Sequence, residues 1–187
     1  MLRSVASSPE LRGAIAKQSA GLAEEVIAGL RSSAVRLDAR LGRSRSRRNA
    51  GVATRGAALA LDALLALGIF VTGSAVVALI ASLVGGIRPH WLAGSLLGAA
   101  WVLVAGGYFV LFWSTTGQTP GMRLLRVRVR HRGAVPSVGR SIVRMVGLVL
   151  AIVPVFLGFV PVLFDERRRG LPDFLAGTVV KYEDEQV

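Results

Sequence analysis

Cysteine is absent from the 187 residues, which excludes disulfides and thiolate metal sites and leaves redox chemistry silent on compartment. Lysine is nearly absent, occurring only at Lys17 and Lys181, so arginine carries the positive charge. Histidine is confined to His90 and His131, in two loops expected on opposite faces of the molecule, so no shared metal site is expected. No spacing suggests a Ser-His-Asp or Cys-His set. Gly117 and Gly121, in TTGQTPGMR, lack the lysine and hydroxyl of a phosphate loop, and turn chemistry is the expected reason for both. The expectation is a protein without catalytic residues, metal or cofactor. Charged residues are also sparse, at 18%, while hydrophobic residues reach 52% and the mean hydropathy is +0.55.

The apolar residues are bunched into blocks, where a water-soluble core would disperse them in amphipathic patterns. A net charge of +12 invites a nucleic-acid reading. The arginines, however, sit at the block edges, where a membrane protein retains charge on its cytosolic side. The expected partner is therefore the lipid bilayer, with no nucleic acid. The first block, Gly56 to Val84, holds one charge, Asp62, and exceeds the roughly 20 residues needed to span. It starts too deep in the chain, and runs too long, for a signal peptide. A second span covers about 92–114. In it Gly94 and Gly98 form a small-xxx-small pair suited to close helix approach. Trp91, Tyr108, Phe112 and Trp113 lie near its ends, where aromatic rings favour the interface.

The long loop that follows carries Arg123, Arg126, Arg128, Arg130, Arg132, Arg140 and Arg144, against Arg88 alone in the first short loop. The positive-inside rule then places the N-terminus and the long loop in the cytosol, at the cytoplasmic membrane. Within the loop Leu125, Val127 and Val129 alternate with arginines, which predicts a strand with one basic face, turned by Arg132-Gly133. A third apolar segment, about 145–164, is interrupted by Pro154 and Pro161. A full span would leave Arg167, Arg168 and Arg169 outside. A re-entrant hairpin would return them to the cytosol and bring GTVVKY beside the basic strand, and re-entry is the expectation.

Residues 1–42 read as a cytosolic helix or helix pair, capped by Ser8 with Pro9 and Glu10 in its first turn. Leu11, Ile15, Leu22, Val26 and Leu30 form one apolar stripe, suited to a membrane surface, self-association or a docking partner. Residues 43–51 are a basic linker. Its Arg43, Arg45, Arg47 and Arg48 would attract lipid headgroups at about 1 kcal/mol each. Residues 181–187 are an acidic tail. The expected fold is mainly α: a polytopic membrane protein with two transmembrane helices, a third Pro-broken and re-entrant segment, and a small cytosolic β-element.

Three stretches in order, ATRGAALALDALL, GQTPGMRLLRVRV and LFDERRRGLPDFLAGTVV, resemble the RDD family of bacterial membrane proteins, named for one arginine and two aspartates. The resemblance covers about 52–180 and supplies the name-giving residues as Arg55, Asp62 and Asp173. It implies a membrane domain suspected of transport without an agreed ligand. Pro172 stands where the family often has histidine, and Met122 where it often has lysine, so no role of those side chains carries over.

A carboxylate at membrane depth must be paired, protonated or turned to protein or water, which singles out Asp62. Arg55 lies two turns earlier on the same face, about 10 Å along the axis, and leans away from it. Arg144 is the better partner for Asp62, leaving Arg55 for Asp173 or Asp165. Asp62 then either exchanges a proton or cation or forms a fixed ion pair. Asp173, for its part, either joins that network or simply caps a short helix. The run from Asp165 to Arg169 reads most simply as a solvated interfacial cluster. The expected function is transport of a small cation, proton or unknown solute by a homo-oligomer. The alternative is a non-catalytic anchor or accessory subunit that binds a partner or anionic lipid through its N-terminal helix and basic face.

Overall fold

The computed structural model describes residues 9–41, 48–84 and 90–183. Helix α1 (Pro9–Leu41) precedes α2 (Val52–Val84) and α3 (His90–Thr115), and the last two are long and apolar enough to cross a membrane. The 33 residues of α2 extend about 50 Å against a hydrocarbon core of roughly 30 Å. That excess leaves room for the first turns, carrying Arg55, to stand outside lipid. There follow α4 (Pro120–Leu124), β1 (Val127–Arg130), α5 (Val138–Ile152), a 3-10 turn (Leu157–Phe159), α6 (Pro161–Phe164), α7 (Leu171–Ala176) and β2 (Val179–Tyr182).

The predicted basic strand forms, but over four residues only, because Arg126 takes φ 53° and turns the chain out of the extended region. It pairs antiparallel with β2, Val129 opposite Val180. Strand alternation buries Val127, Val129 and Val180 on one face. They join Ala58, Phe109, Trp113, Met122 and Leu125 in the core. The Arg132-Gly133 turn also forms, closed by two backbone hydrogen bonds between His131 and Ala134 at 2.8 and 2.9 Å. No second strand follows it; the chain leaves for α5. Residues 48–50 line the other edge of β2, Ala50 N–H donating to Val180 O and Tyr182 N–H to Arg48 O, both at 2.9 Å.

The third apolar segment doubles back. The axis of α5 and that of Leu157–Phe164 differ by 120°. Pro154 lies in the break, and Val155 and Phe156 take φ 53° and 62°, left-handed values that side chains with Cβ rarely adopt. Pro161 interrupts nothing. It occupies the first turn of α6, where its missing N–H is no loss. The tip is apolar and bare, Val155 being 84% exposed. Its N–H groups are satisfied locally, Phe156 on Ile152 O at 3.3 Å and Leu157 on Pro154 O at 3.2 Å, as backbone in contact with lipid requires. Arg140, in the first turn of α5, donates to Ala176 O at the far end of α7. The hairpin therefore begins and ends on one side of the fold.

Two features depart from expectation. Gly94 and Gly98 have no neighbour within 4 Å of a built Cβ, so among the described residues no helix uses their close-approach face. Tyr108 and Trp113 are not interface rings: Trp113 is 2% exposed in the core, and Tyr108 reaches a buried carboxylate described below. Ser8, Arg43, Arg45 and Arg47 lie outside the described residues. Arg48 is exposed beyond the sheet edge.

Helix α1 is one continuous helix whose apolar stripe stays exposed at Ile15, Leu22, Val26 and Leu30, Val26 at 70%. It joins the rest through Ala34 and Asp38, both buried. Asp38 caps α2 from another helix, accepting from Gly51 N–H at 3.0 Å, Ala53 N–H at 2.7 Å and Thr54 N–H at 3.2 Å. These are donors that the start of a helix leaves unpaired, and a carboxylate there also meets the positive end of the helix dipole. Tyr182 OH adds a fourth donor at 3.1 Å, tying α1 to β2. A Cβ at Gly51 would sit 2.4 Å from an Asp38 oxygen, so glycine is required there.

The hairpin predicts a labelling result. In sealed vesicles, Arg48→Cys and Arg167→Cys should react with a membrane-impermeant maleimide from the same face. Labelling from opposite faces would convert the hairpin into a full span.

Candidate functional site

Asp173 is fully buried near the start of α7, and Arg55 of α2 and Arg144 of α5 both bind it, one guanidinium to each carboxylate oxygen. Thr178 Oγ1–H at 3.1 Å and Gly170 N–H at 3.2 Å complete its shell, so Asp173 caps α7 and pairs with arginine at once. Arg55 spends its other donors on Ala50 O at 3.1 Å and Arg168 O at 2.6 Å. Arg144 also donates to Thr178 Oγ1 at 2.7 Å and stacks over the Trp113 ring at 4.9 Å. Three separate stretches of chain are thus held at one point. Burial alone would push the Asp173 carboxyl up; Arg144 and Arg55 outweigh it and hold the group at about 2.

Asp62, ten residues beyond the start of α2, is 1% exposed. The expected Arg144–Asp62 pair does not form, because the hairpin carries Asp173 to the arginine first. Asp62 instead accepts from Thr119 OH, from Tyr108 OH at 2.9 Å and from Gly121 N–H at 2.8 Å. Thr119 and Gly121 open α4, so Asp62 meets that helix end. Gly121 answers to close approach rather than turn conformation: a Cβ there would lie 2.4 Å from Ala58 O and 2.9 Å from Asp62. Gly117 does serve a turn, at φ 71°.

Asp165 stands apart from Arg55. It binds Arg169 through both carboxylate oxygens, each at 3.1 Å, and takes the N–H groups of Arg167 and Arg169. Its carboxyl is held low by the Arg169 hydrogen bond. The run Asp165 to Arg169 is not uniformly solvated, since Arg168 is buried and donates to Asn49 O at 3.3 Å. His131 binds Gly177 O at 2.7 Å, and among the described residues no three metal-ligating side chains converge.

Beside these two carboxylates lies a cavity of about 690 Å³ with largely apolar walls, which Arg55, Asp62 and Arg144 also line. Sequence reasoning missed Asp38, Tyr108, Thr119, Arg168 and Thr178 as partners. Only Thr119 carries a local signal, a hydroxyl directly before proline at a helix start. Asp38, Tyr108 and Arg168 are fixed by contacts across 13 to 144 residues of chain, and Thr178 by Asp173 five residues away and Arg144 34 away.

Removing one member of a buried, hydrogen-bonded ion cluster typically costs 3–5 kcal/mol, roughly, because charge is left uncompensated. Asp173→Ala should therefore lose at least that much, seen as a large drop in detergent melting temperature. The sign with pH follows from the depressed value. Stability from Asp173 is complete above the ordinary carboxylate range near 4 and drains away as pH falls towards about 2. Melting between pH 5 and 2 should show that loss, and Asp173→Asn should flatten it.

A sequence profile of the RDD family matches residues 49–177. Comparison with curated proteins and with solved structures finds no match. The profile covers more than half of the chain and includes Arg55, Asp62 and Asp173; the chain belongs to the RDD family.

Proposed function

We propose that this membrane protein takes part in transport of a small cation or proton across the cell membrane, with Asp62 as the exchanging carboxylate. The observation that carries the reading is the contrast between the two buried aspartates. Asp173 is locked by two arginines, whereas the hydrogen bonds to Asp62 come from two hydroxyls and one backbone amide. Hydroxyls donate or accept as needed, so the Tyr108 and Thr119 shell suits a carboxyl in either protonation state. Asp62 also borders the cavity, which gives an exchanging ion somewhere to go.

Two membrane helices and a re-entrant hairpin enclose no route alone. A homo-oligomer is therefore part of the proposal, and the bare outer faces of α2 and α3 supply the surface for it. The arginine-rich end faces the cytosol in this reading. A second reading, an accessory subunit that holds a partner through α1, is favoured by that helix's exposed Ile15, Leu22 and Val26.

Flux in proteoliposomes tests the first reading. Asp62→Asn should keep a melting temperature within a few degrees of native and lose at least tenfold in proton or cation flux. If that variant fails to fold, Tyr108→Phe serves instead, with an expected several-fold loss. Native flux in a folded Asp62→Asn removes Asp62 from any transport role, and native flux in Tyr108→Phe removes the Tyr108 hydroxyl from it.

A further inference from the structure

Helix α1 meets the membrane domain along one line of its surface. Ala34 and Asp38 are buried there, and Ile27 and Arg31 partly buried, at the spacing of successive turns. The aliphatic stripe lies about 100° round the helix, since Val26, Leu30 and Leu37 each precede a member of that line by one residue. Leu22, Val26, Leu30, Leu37 and Leu41 are 38 to 70% exposed. The docking of α1 on its own chain therefore leaves this stripe uncovered. Two such stripes together expose on the order of 1,000 Å², about the lower bound of a specific interface between proteins.

The charges beside the stripe indicate what covers it. From Pro9 to Leu41 the helix holds five basic and four acidic residues and no aromatic ring. A helix that lies in a lipid surface carries Lys and Arg across its polar face; here Glu24 shares that face with Lys17 and Arg31. Glu25 and Arg36 stand 11 residues apart, about three turns, and so on one edge of the stripe. Neither forms an ion pair among the described residues, and Arg36 donates to Ser33 Oγ at 2.9 Å. No opposite charge lies three or four residues to either side of them. The other edge, with Ala23, Ile27 and Ala34, is uncharged. Two copies of α1 packed in parallel bring unlike edges together, which sets Glu25 and Arg36 against alanine. Packed antiparallel they bring like edges together, and each Glu25 meets an Arg36 of opposite charge.

We propose that α1 pairs antiparallel with α1 of a second copy of this chain, the charged edge of each helix against that of the other. The register that joins Glu25 to Arg36 of the second copy centres the pair near Leu30 and brings Leu22 against Leu37. Arg40, the one charge within the stripe between Leu22 and Leu41, then comes beside Gly21, which leaves its long side chain a way out to water. The contact is separate from the outer faces of α2 and α3. It rests on the reading of α1 as a docking helix and names a second copy as the partner, and it stands whether or not Asp62 exchanges a proton.

Disulfide mapping of the full chain in membranes tests it, with no native cysteine to interfere. Leu22→Cys coexpressed with a differently tagged Leu37→Cys should give a cross-linked dimer carrying both tags, and Leu30→Cys should cross-link to itself. Leu22→Cys alone, and Glu24→Cys on the polar face, should stay at the background of random collision. Glu25→Arg and Arg36→Glu change exposed side chains and should melt near native. Each should lower cross-linking of Leu30→Cys several-fold, and the two together in one chain should restore it. Cross-linking of Leu22→Cys to itself would mean parallel pairing, and cross-linking that ignores both charges would mean unspecific contact; either overturns the proposal. If no stripe position cross-links, the proposal falls, and maleimide labelling of Val26→Cys decides what falls with it. Protection in membranes that is lost on purification would keep α1 as a docking helix for a different partner or for lipid. Equal labelling in both would remove the docking reading as well.

Discussion

A carboxylate removed from water is tolerated only where positive charge and hydrogen bonds replace its hydration, and Asp173 meets that condition through Arg55 and Arg144. Both arginines would be equally misplaced without it. The three groups come from the first membrane helix, the start of the hairpin and the helix that follows the hairpin, so one electrostatic requirement fixes the relative position of all three. The return of the third apolar segment follows from it. Arg144 enters that segment and Asp173 leaves it, and their pairing forbids the two ends from lying on opposite sides of a bilayer.

The same constraint explains what is left to Asp62. With both arginines committed, its shell consists of Tyr108, Thr119 and the Gly121 amide. The motif that carries Arg55 and Asp62 is thereby divided. Its arginine reaches the C-terminal motif through Asp173, and its aspartate reaches the middle motif through Thr119 and Gly121. Three sequence stretches become one interlocked end of the helix bundle, with the strand pair packed beneath it. Glycine at 121 belongs to this arrangement because α4 could not come so near Ala58 and Asp62 with a side chain in the way. One end of the bundle therefore holds two differently bound carboxylates, Asp173 fixed by two arginines and Asp62 held by two hydroxyls and one backbone amide.

Outside that end the molecule is sparsely packed. The outer half of α2 meets α3 through contacts such as Phe70 with Trp101, ring centres 4.6 Å apart, while Leu65, Ile69 and Leu79 face outward. In lipid such faces carry no hydrophobic penalty, and helix association there depends on shape and polar contacts. Helix α1 is different, since its bare Ile15, Leu22 and Val26 lie on a helix whose buried residues, among those described, are Ala34 and the capping Asp38. The cap makes the helix direction a property of the α2 terminus, so α1 is aimed by the membrane domain though it lies outside the family match.

The sequence by itself determined the solvent and the element plan. Long apolar blocks broken by arginine define two membrane helices, alternating valine and arginine define β1, and proline with flanking charge predicts that the third segment turns back. These are signals of period and composition, written in neighbouring residues. The tertiary structure decided the partners. Placement at the cytosolic boundary paired Arg144 with Asp62 in expectation, and the hairpin delivered Asp173 instead. Tyr108 and Trp113 read as interface rings until a buried carboxylate and a buried guanidinium claimed them. Asp38 gave no sign of being a cap, because the helix it serves starts 14 residues later and the turn that brings them together leaves no local pattern. Which charges meet is set by how far the chain folds back on itself, across 29 residues for Arg144 with Asp173 and 118 for Arg55 with Asp173.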